Sequence, residues 1–504
     1  MAPTPRPSAT PGRPVRGLSD RLAGARIHGD GGTAVTGITH DSRAVRPGDL
    51  YLARPGEHAH GIEFVADAVA AGAVAVLTDA PSVPSALSAG AGAAVEVPDP
   101  RAAAGPAAAW VYGDPARALD VIGVTGTNGK TTTAYLLDGG LRASGRRTGL
   151  VGTVETRIGD EVVPSARTTP EATDLQALFA VMCERGVDSV AMEVSSHALA
   201  LDRVAGTTFA VAAFTNLSQD HLDFHADMDD YFAAKARLFT PAYAARAVVA
   251  VDDEWGRRLA GTATVDVTSV GEAPADWVRI DEAVTASGGR TTLRAPDGAP
   301  HEVEVSLPGR FNVRNAAVAY VALVLAGIEP DAARAGIASV TTIPGRMERV
   351  DAGKPFLALV DYAHTPAAVT TLLAEARVLS GDGRVVVVLG CGGDRDRGKR
   401  PLMGAAAARG ADVAVLTSDN PRSEDPLAIL AAMEAGARAA GGPAEIVVEP
   451  DRRRAIELAV GKSAPGDVLV VAGKGHEQGQ EQNGVVTPFD DRVVLGQALG
   501  GAPR

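Results

Sequence analysis

Val121-Ile122-Gly123-Val124-Thr125-Gly126-Thr127-Asn128-Gly129-Lys130-Thr131 is an apolar run that empties into a glycine-rich turn, and the residues from there to about Leu141 are helix-like. A strand, a tight turn and a helix in that order make a phosphate cradle. The turn's backbone N–H groups and the helix N-terminus point at an anion, Lys130 adds positive charge, and the Thr131 hydroxyl can bind Mg²⁺. The strict P-loop pattern has Gly where Val124 stands, so the strand-loop-helix context carries the reading. It predicts binding of a nucleoside triphosphate in an α/β unit.

The chain has 504 residues, enough for about three domains, with 46% apolar and 22% charged residues, ordinary for a globular protein. A net charge of −13 argues against a nucleic-acid partner, which requires clustered Lys and Arg. Two cysteines, Cys183 and Cys391, suggest neither a disulfide framework nor a metal cluster and fit a reducing compartment. Residues 1–17 are Pro- and Arg-rich without an apolar core and read as a disordered tail. The apolar stretch Ala316–Gly327 is too short to span a bilayer. A soluble, cytoplasmic protein is expected, without membrane insertion.

Around the cradle, apolar strands such as Ser189–Met192 and Ala210–Phe214 alternate with helical stretches, and residues 280–307 read as a small antiparallel accessory sheet. Residues 18–112 form a mixed α/β unit, with Thr39-His40-Asp41-Ser42-Arg43 before the strand Leu50–Ala53. The third unit, from about Pro344, has apolar runs Phe356–Val360, Val385–Leu389, Val413–Leu416 and Val468–Val471 separated by Ala-rich helices, hence a mostly parallel sheet. The expected domains are 18–112, 113–343 and 344–504.

Polar clusters follow the strands. Glu193 ends one strand beside the P-loop, where a carboxylate suits Mg²⁺ or caps a helix. Asp220, His221, Asp223 and His225 crowd one short segment; Lys235, alone on a helix, reads by spacing as a solvated residue. Asn312 and Asn315, one helical turn apart, can bond a base edge or cap the helix. In the third unit Arg395, Asp419-Asn420-Pro421-Arg422 and Gly473-Lys474-Gly475-His476-Glu477 all fall at strand C-termini, where open α/β sheets bind ligands. Guanidiniums at Arg395 and Arg422 with a carboxylate at Glu477 suit a ligand carrying both charges, such as an amino acid; the alternative is a structural ion-pair network.

Together, Thr125–Thr131, Glu193–His197, Asn216–His221, Asn312–Asn315, Arg346 and Asp361–Pro366 resemble the motifs of the Mur ligase family, from about Leu18 to the end. The resemblance implies an N-terminal UDP-binding domain, a central P-loop ATPase domain and a C-terminal Rossmann-like domain. It looks like the tripeptide-forming member, which joins meso-2,6-diaminopimelate to UDP-N-acetylmuramoyl-L-alanyl-D-glutamate and converts ATP to ADP. The Asp419–Arg422 segment looks like the diaminopimelate-recognition motif.

By the same resemblance, Thr125, Gly126, Thr127, Asn128, Gly129, Lys130 and Thr131 hold the ATP phosphates, and Asn312, Arg346 and Asp361 contact the nucleotide. Thr131 and Glu193 hold one Mg²⁺; His221 and a carbamylated Lys235 complete the metal and catalytic set. Ser42, Glu57, His58 and Ala59 align with the UDP-binding stretch. Thr168, Thr169, Ser195 and Arg203 align with the grip on the muramoyl-dipeptide, while Leu201 stands where the family often has Gln. Arg395, Asp419, Asn420, Pro421, Arg422, Gly473 and Glu477 hold the diamino acid. The implied enzyme works as a monomer through an acyl phosphate and needs domain closure about linkers near Gly113 and Pro344. Alternatives are LL-diaminopimelate or L-lysine as substrate, or a folylpolyglutamate synthetase-like ligase; Arg422 and the Ser42 segment argue against the last two.

Overall fold

The computed structural model describes residues 4–56, 59–163 and 167–500, and among them the larger sheets have five, twelve and six strands. The N-terminal sheet runs in the order Arg26–Gly29, Ala93–Glu96, Ala75–Thr78, Asp49–Leu52, Gly37–Thr39. All its pairings are parallel except the first. Residues 4–17 depart from the expected disordered tail. Arg13–Pro14 pairs with Ala34–Val35, Val15 is fully buried, and Arg6 reaches the buried Asp49 at 2.6 Å. One buried apolar residue and one ion pair hold the segment down, although its composition lacks a hydrophobic run.

The central sheet has a parallel middle, Thr148–Val151, Ser189–Glu193, Asp120–Thr125, Val211–Phe214, Arg246–Ala250 and Asp266–Gly271, in that spatial order. These strands are buried on both faces, one face under the helices Lys130–Ala143 and Arg310–Leu325, which explains their continuous apolar runs. The antiparallel strands of residues 280–307 are not a separate accessory sheet. They continue the main sheet, because Gly288–Arg294 pairs with Trp277–Arg279, which pairs with Asp266–Gly271.

The C-terminal sheet runs Glu348–Arg349, Leu357–Asp361, Val468–Ala472, Val385–Cys391, Val413–Ser418, Glu445–Val448, parallel beyond the first pair. Arg452 and Asp491, both fully buried, form a bidentate pair at 2.7–2.8 Å, and Arg452 also donates to Ser418 O and Ala472 O. That arginine ties the C-terminal ends of two strands together, directly behind the polar loops that follow them. Helix-to-helix contact joins this domain to the central one, where Arg310 N donates to Glu375 Oε2 at 2.8 Å.

Candidate active site

The Asp120–Thr125 strand passes into the loop 126–129, and the helix begins at Lys130. The first N–H groups of that helix have no intrahelical partners, so they and the helix dipole form an anion site. The segment after the Val211–Phe214 strand staples the loop. Thr127 N donates to Asn216 O at 2.9 Å, Asn128 N to Asn216 Oδ1 at 3.0 Å, and Thr215 Oγ1 to Asn128 O at 2.6 Å. Gly129 has φ 85°, and Asn315 Oδ1 occupies the space a Cβ would need, so glycine is required there.

Two ammonium groups meet at this loop. Lys130 Nζ donates to Gly126 O at 2.9 Å and Thr127 O at 2.8 Å; Lys235 Nζ donates to the same Gly126 O at 2.8 Å. Lys235 is 1% exposed, so its solvated-helix reading is wrong. Burial pulls its pKa well below the usual lysine range, and Lys130 next to it acts in the same direction. Burial also lowers Lys130, offset in part by the carboxylates of Glu193 and Asp220. Glu193 is itself buried and accepts from Thr153 N at 2.8 Å and Thr153 Oγ1 at 3.0 Å. His221 takes a left-handed φ of 55°, uncommon for a non-glycine residue, and burial pushes its imidazole down to about 4.

Arg346 crosses from the linker to the P-loop helix, where its Nη2 donates to Thr131 Oγ1 at 3.1 Å and its guanidinium lies 4.5 Å from the Tyr362 ring centre. Asp361 holds the linker turn by accepting from Met347 N and Ala363 N, each at 2.8 Å. Asn312 is buried, donates to Pro308 O at 2.7 Å and receives Asn315 Nδ2 at 3.4 Å. Its amide is thus engaged within the protein.

In the C-terminal domain the three loops that follow the strands meet. The buried Lys474 Nζ donates to Asn420 Oδ1 and Gly479 O, both at 2.8 Å, and lies 3.4 Å from Glu477 Oε2 and 3.9 Å from Asp419 Oδ1. Asn420 Nδ2 donates to Glu477 Oε2 at 2.9 Å. Burial, with the Asp419 carboxylate nearby, raises Glu477 above the usual glutamate range. Gly473 passes so close to Asp419 that a Cβ there would sit 2.7 Å from Oδ2. Pro421 O accepts from Glu424 N at 3.1 Å and shapes the turn. Arg422 has φ 53°, and its Nη1 donates to Gly393 O at 2.7 Å. Arg395 is exposed, and its Cγ and Arg422 Nη1 both border the space a Cβ on Gly392 would take.

Residues 34–111 match the Mur ligase family catalytic domain, 124–323 the Mur ligase middle domain and 345–475 the Mur ligase glutamate ligase domain. A UDP-N-acetylmuramoyl-L-alanyl-D-glutamate–2,6-diaminopimelate ligase of Streptomyces coelicolor is 56% identical over 98% of each chain. The chain belongs to the Mur ligase family. A ligase of the same name from Corynebacterium glutamicum is 48% identical over 96% of this chain and 95% of its own. A solved structure with that name is 33% identical, covers 93% of this Mur ligase and 95% of the other chain, and has a TM-score of 0.65.

Family membership implies Mg²⁺, and the donor set of this Mur ligase fits it in part. Thr131 and Glu193 offer hard oxygens, and His221, neutral near pH 7, offers a lone pair. Among the described residues no three His, Cys, Asp or Glu side chains form a ready metal cage. Lys235 as an ammonium has no lone pair to give and fits only as a carbamate.

On the side facing the N-terminal domain, Thr169 Oγ1 donates to Glu193 O at 2.9 Å and accepts from Ser195 N at 3.1 Å, and Thr168 Oγ1 lies 2.9 Å from Thr153 Oγ1. Arg203 Nε lies 2.9 Å from Glu171 Oε1, which also pairs with Arg167, while Glu171 Oε2 pairs with Arg54 of the N-terminal domain at 3.1 Å. Burial alone would raise the Glu171 carboxyl, but Arg203, Arg54 and Arg167 hold it below the usual range. Ser42 lies half-buried in a short helical turn, and Ala59 closes a turn on Gly56; Glu57 and His58 lie outside the described residues. Sequence reasoning placed Lys474 in a candidate loop without giving it a role, and missed Glu171, Arg54 and Glu481. Lys474 had a signal, its place between two conformationally free glycines; the other three had none.

Proposed function

We propose that this Mur ligase joins 2,6-diaminopimelate to the D-glutamate of UDP-N-acetylmuramoyl-L-alanyl-D-glutamate, with ATP cleaved to ADP and phosphate. The observation that carries the reading is the Asp419–Arg422 turn, whose arginine is fixed beside the Lys474–Asn420–Glu477 network, in a chain 56% identical to a ligase named for that reaction. Lysine has no second carboxylate for Arg422 to meet, which favours diaminopimelate.

A carboxylate is a poor acceptor for an amine, so it is activated first. Its oxygen attacks the γ-phosphorus of ATP, the bond to the β–γ bridging oxygen breaks, and an acyl phosphate and ADP form. The neutral amine of diaminopimelate then attacks the acyl carbon; the carbon–oxygen bond to phosphate breaks, and the amine releases a proton. Lys130 and the P-loop amides of residues 125–131 hold the triphosphate, with Asn312, Arg346 and Asp361 toward the nucleoside. Mg²⁺, when bound, neutralises the phosphate charge that otherwise repels the incoming carboxylate. Thr131, Glu193, His221 and Lys235 would hold it, the last as a carbamate. Burial favours the uncharged Lys235 amine, the form that adds carbon dioxide while losing one proton.

Ser42 and the segment Glu57-His58-Ala59 take the UDP end, and Thr168, Thr169, Ser195 and Arg203 the muramoyl-dipeptide. Arg395, Asp419, Asn420, Pro421, Arg422, Gly473 and Glu477 surround the diamino acid. Hinges near Gly113 and Pro344 bring the three domains together. The reading makes the enzyme a cytoplasmic monomer; no helix among the described residues is long and apolar enough to cross a membrane. The test is isotopic. With the reacting carboxylate labelled by ¹⁸O, each turnover transfers one labelled oxygen to inorganic phosphate, and turnover requires ATP, the UDP substrate and diaminopimelate together. Unlabelled phosphate, or ADP release that ignores the UDP substrate, contradicts the mechanism.

A further inference from the structure

Residues 4–17 touch both the N-terminal and the central domain, and residues 4–12 do so without forming a helix or strand. On the N-terminal domain, Arg6 Nη1 pairs with the buried Asp49 at 2.6 Å, and Arg6 Nη2 donates to Ala44 O at 3.2 Å. Two residues on, Ser8 reaches the central domain. Its N–H donates to Glu184 Oε2 at 3.1 Å and Oε1 at 3.2 Å, and its hydroxyl bonds the same carboxylate. Glu184 ends the helix Ala172–Glu184, whose first turn sets Thr173 Oγ1 2.8 Å from His40 Nδ1 of the N-terminal domain. Arg13 then lies over Trp110, 5.6 Å from the ring centre, with its Nη2 3.3 Å from where a Cβ on Gly113 would sit. We propose that residues 4–13 are a strap across the Gly113 hinge, which holds the N-terminal and central domains in the setting that binds the UDP substrate. The proposal rests on the ligase reading above only for its kinetic part.

The hinge is a tight turn tied on both sides. Gly113 and Asp114 take left-handed φ values of 82° and 56°, the second uncommon for a non-glycine residue. Arg21 pairs with the Asp114 carboxylate, and Cys183 Sγ donates to Pro115 O at 3.6 Å. The strap adds contacts of unequal strength to this turn. Arg6 and Asp49, with side chains 11% and 3% exposed, form the anchor, because a buried Asp49 without its cation is strongly disfavoured. The contact of Ser8 with Glu184 is exposed and weaker, so it is the end that releases. Glu184 stands at a helix C-terminus, where the dipole disfavours a carboxylate, and the donors of Ser8 offset that repulsion. A negative charge at residue 8 would meet both the carboxylate and the dipole end, and would open the clasp. Release disrupts little else, since residues 4–12 carry no helix or strand bonds.

The experiment reads the spacing of the two domains in the full chain, by double electron–electron resonance between spin labels carried on p-acetylphenylalanine at the exposed Ser88 and Thr262. That chemistry leaves Cys183 unmodified. Wild type should give one narrow distance distribution. Ser8→Asp brings two carboxylates together and should broaden it or add a second population. Ser8→Asp combined with Glu184→Arg restores opposite charges and should return the wild-type width. Arg6→Ala combined with Asp49→Asn removes the anchor without leaving a buried charge, and should broaden the distribution as well. If only about a third of the molecules keep the competent setting, the KM for the UDP substrate should rise about threefold, with the KM for ATP unchanged. Wild-type distributions in both loosened variants would overturn the proposal. So would a lower melting temperature at unchanged distance, which would make the segment a stabiliser of one domain. A broadened distribution with an unaltered KM for the UDP substrate would overturn the role in substrate binding. A chain without ADP release that depends on the UDP substrate would overturn the ligase reading, and the distances alone would then decide the strap.

Discussion

The P-loop and the amino-acid site are both built at the C-terminal ends of parallel strands, yet they hold charge in opposite ways. At the P-loop, Lys130 and Lys235 share one carbonyl oxygen, and both are pulled down by burial. Lys130, the Arg346 guanidinium and the helix amides gather there, an arrangement that suits a polyanion. In the C-terminal domain, Lys474 is surrounded by Asn420, Glu477 and Asp419, and Arg422 by Glu481. That site is balanced before any ligand arrives. One is shaped for a triphosphate, the other for a molecule carrying charges of both signs. Strain marks both: His221 and Arg422 are non-glycine residues with left-handed φ, a backbone cost of about 1–3 kcal/mol each that surrounding structure must offset.

The contrast breaks most visibly at Lys130. Lys130→Ala removes a cation from a site that has no balancing reserve, and turnover should fall by ~10²-fold or more, since charge building on the transferred phosphoryl goes uncompensated. A Lys130→Ala enzyme that kept most of its ADP-forming rate would mean that the loop amides alone do the work. A smaller effect sharpens the account of how the domains meet. His476 packs against Tyr362, ring centres 5.2 Å apart, and burial, helped by Arg346 and Arg492, pushes its imidazole down to about 4. The unfolded chain binds that proton near the ordinary histidine value of about 6.5. Stability should therefore be level above that pH and fall as pH drops toward 4, because only the unfolded state takes up the proton. His221, also near 4, adds to the same window. Urea midpoints across this range should show a shallower decline for His476→Gln, and an identical slope would exclude His476 from the effect.

Much of this was legible in the sequence because it is local. The glycine turn, Lys130 and the helix after them form within one short stretch, and strands buried on both faces announce themselves as unbroken apolar runs. The loop clusters at Asp419 and Gly473 were also readable, since ligand sites of parallel sheets follow strand C-termini. What escaped notice depends on partners distant in sequence. Lys235 reads as a solvated helical lysine until Gly126, 109 residues away, is found against it. The edge strands of residues 280–307 carry a weak alternating pattern that gives no hint of whether they join the main sheet. Residues 4–17 are held by Val15 and the Arg6–Asp49 pair, neither of which has a periodic signature. Glu481 stands next to Arg422 only because a hairpin folds back over the turn.

The most direct measurement compares kcat/KM for ADP release with meso-diaminopimelate, LL-diaminopimelate and L-lysine, in wild type and in Arg422→Ala, with ATP and the UDP substrate saturating. A balanced site built around Arg422 predicts a wild-type preference for at least one diaminopimelate over lysine of ~10³-fold or more. Arg422→Ala should erase most of that ratio through the amino-acid KM and leave the KM for ATP unchanged. Equal use of lysine by wild type, or an Arg422→Ala enzyme that still prefers diaminopimelate, would contradict the assignment of the C-terminal site.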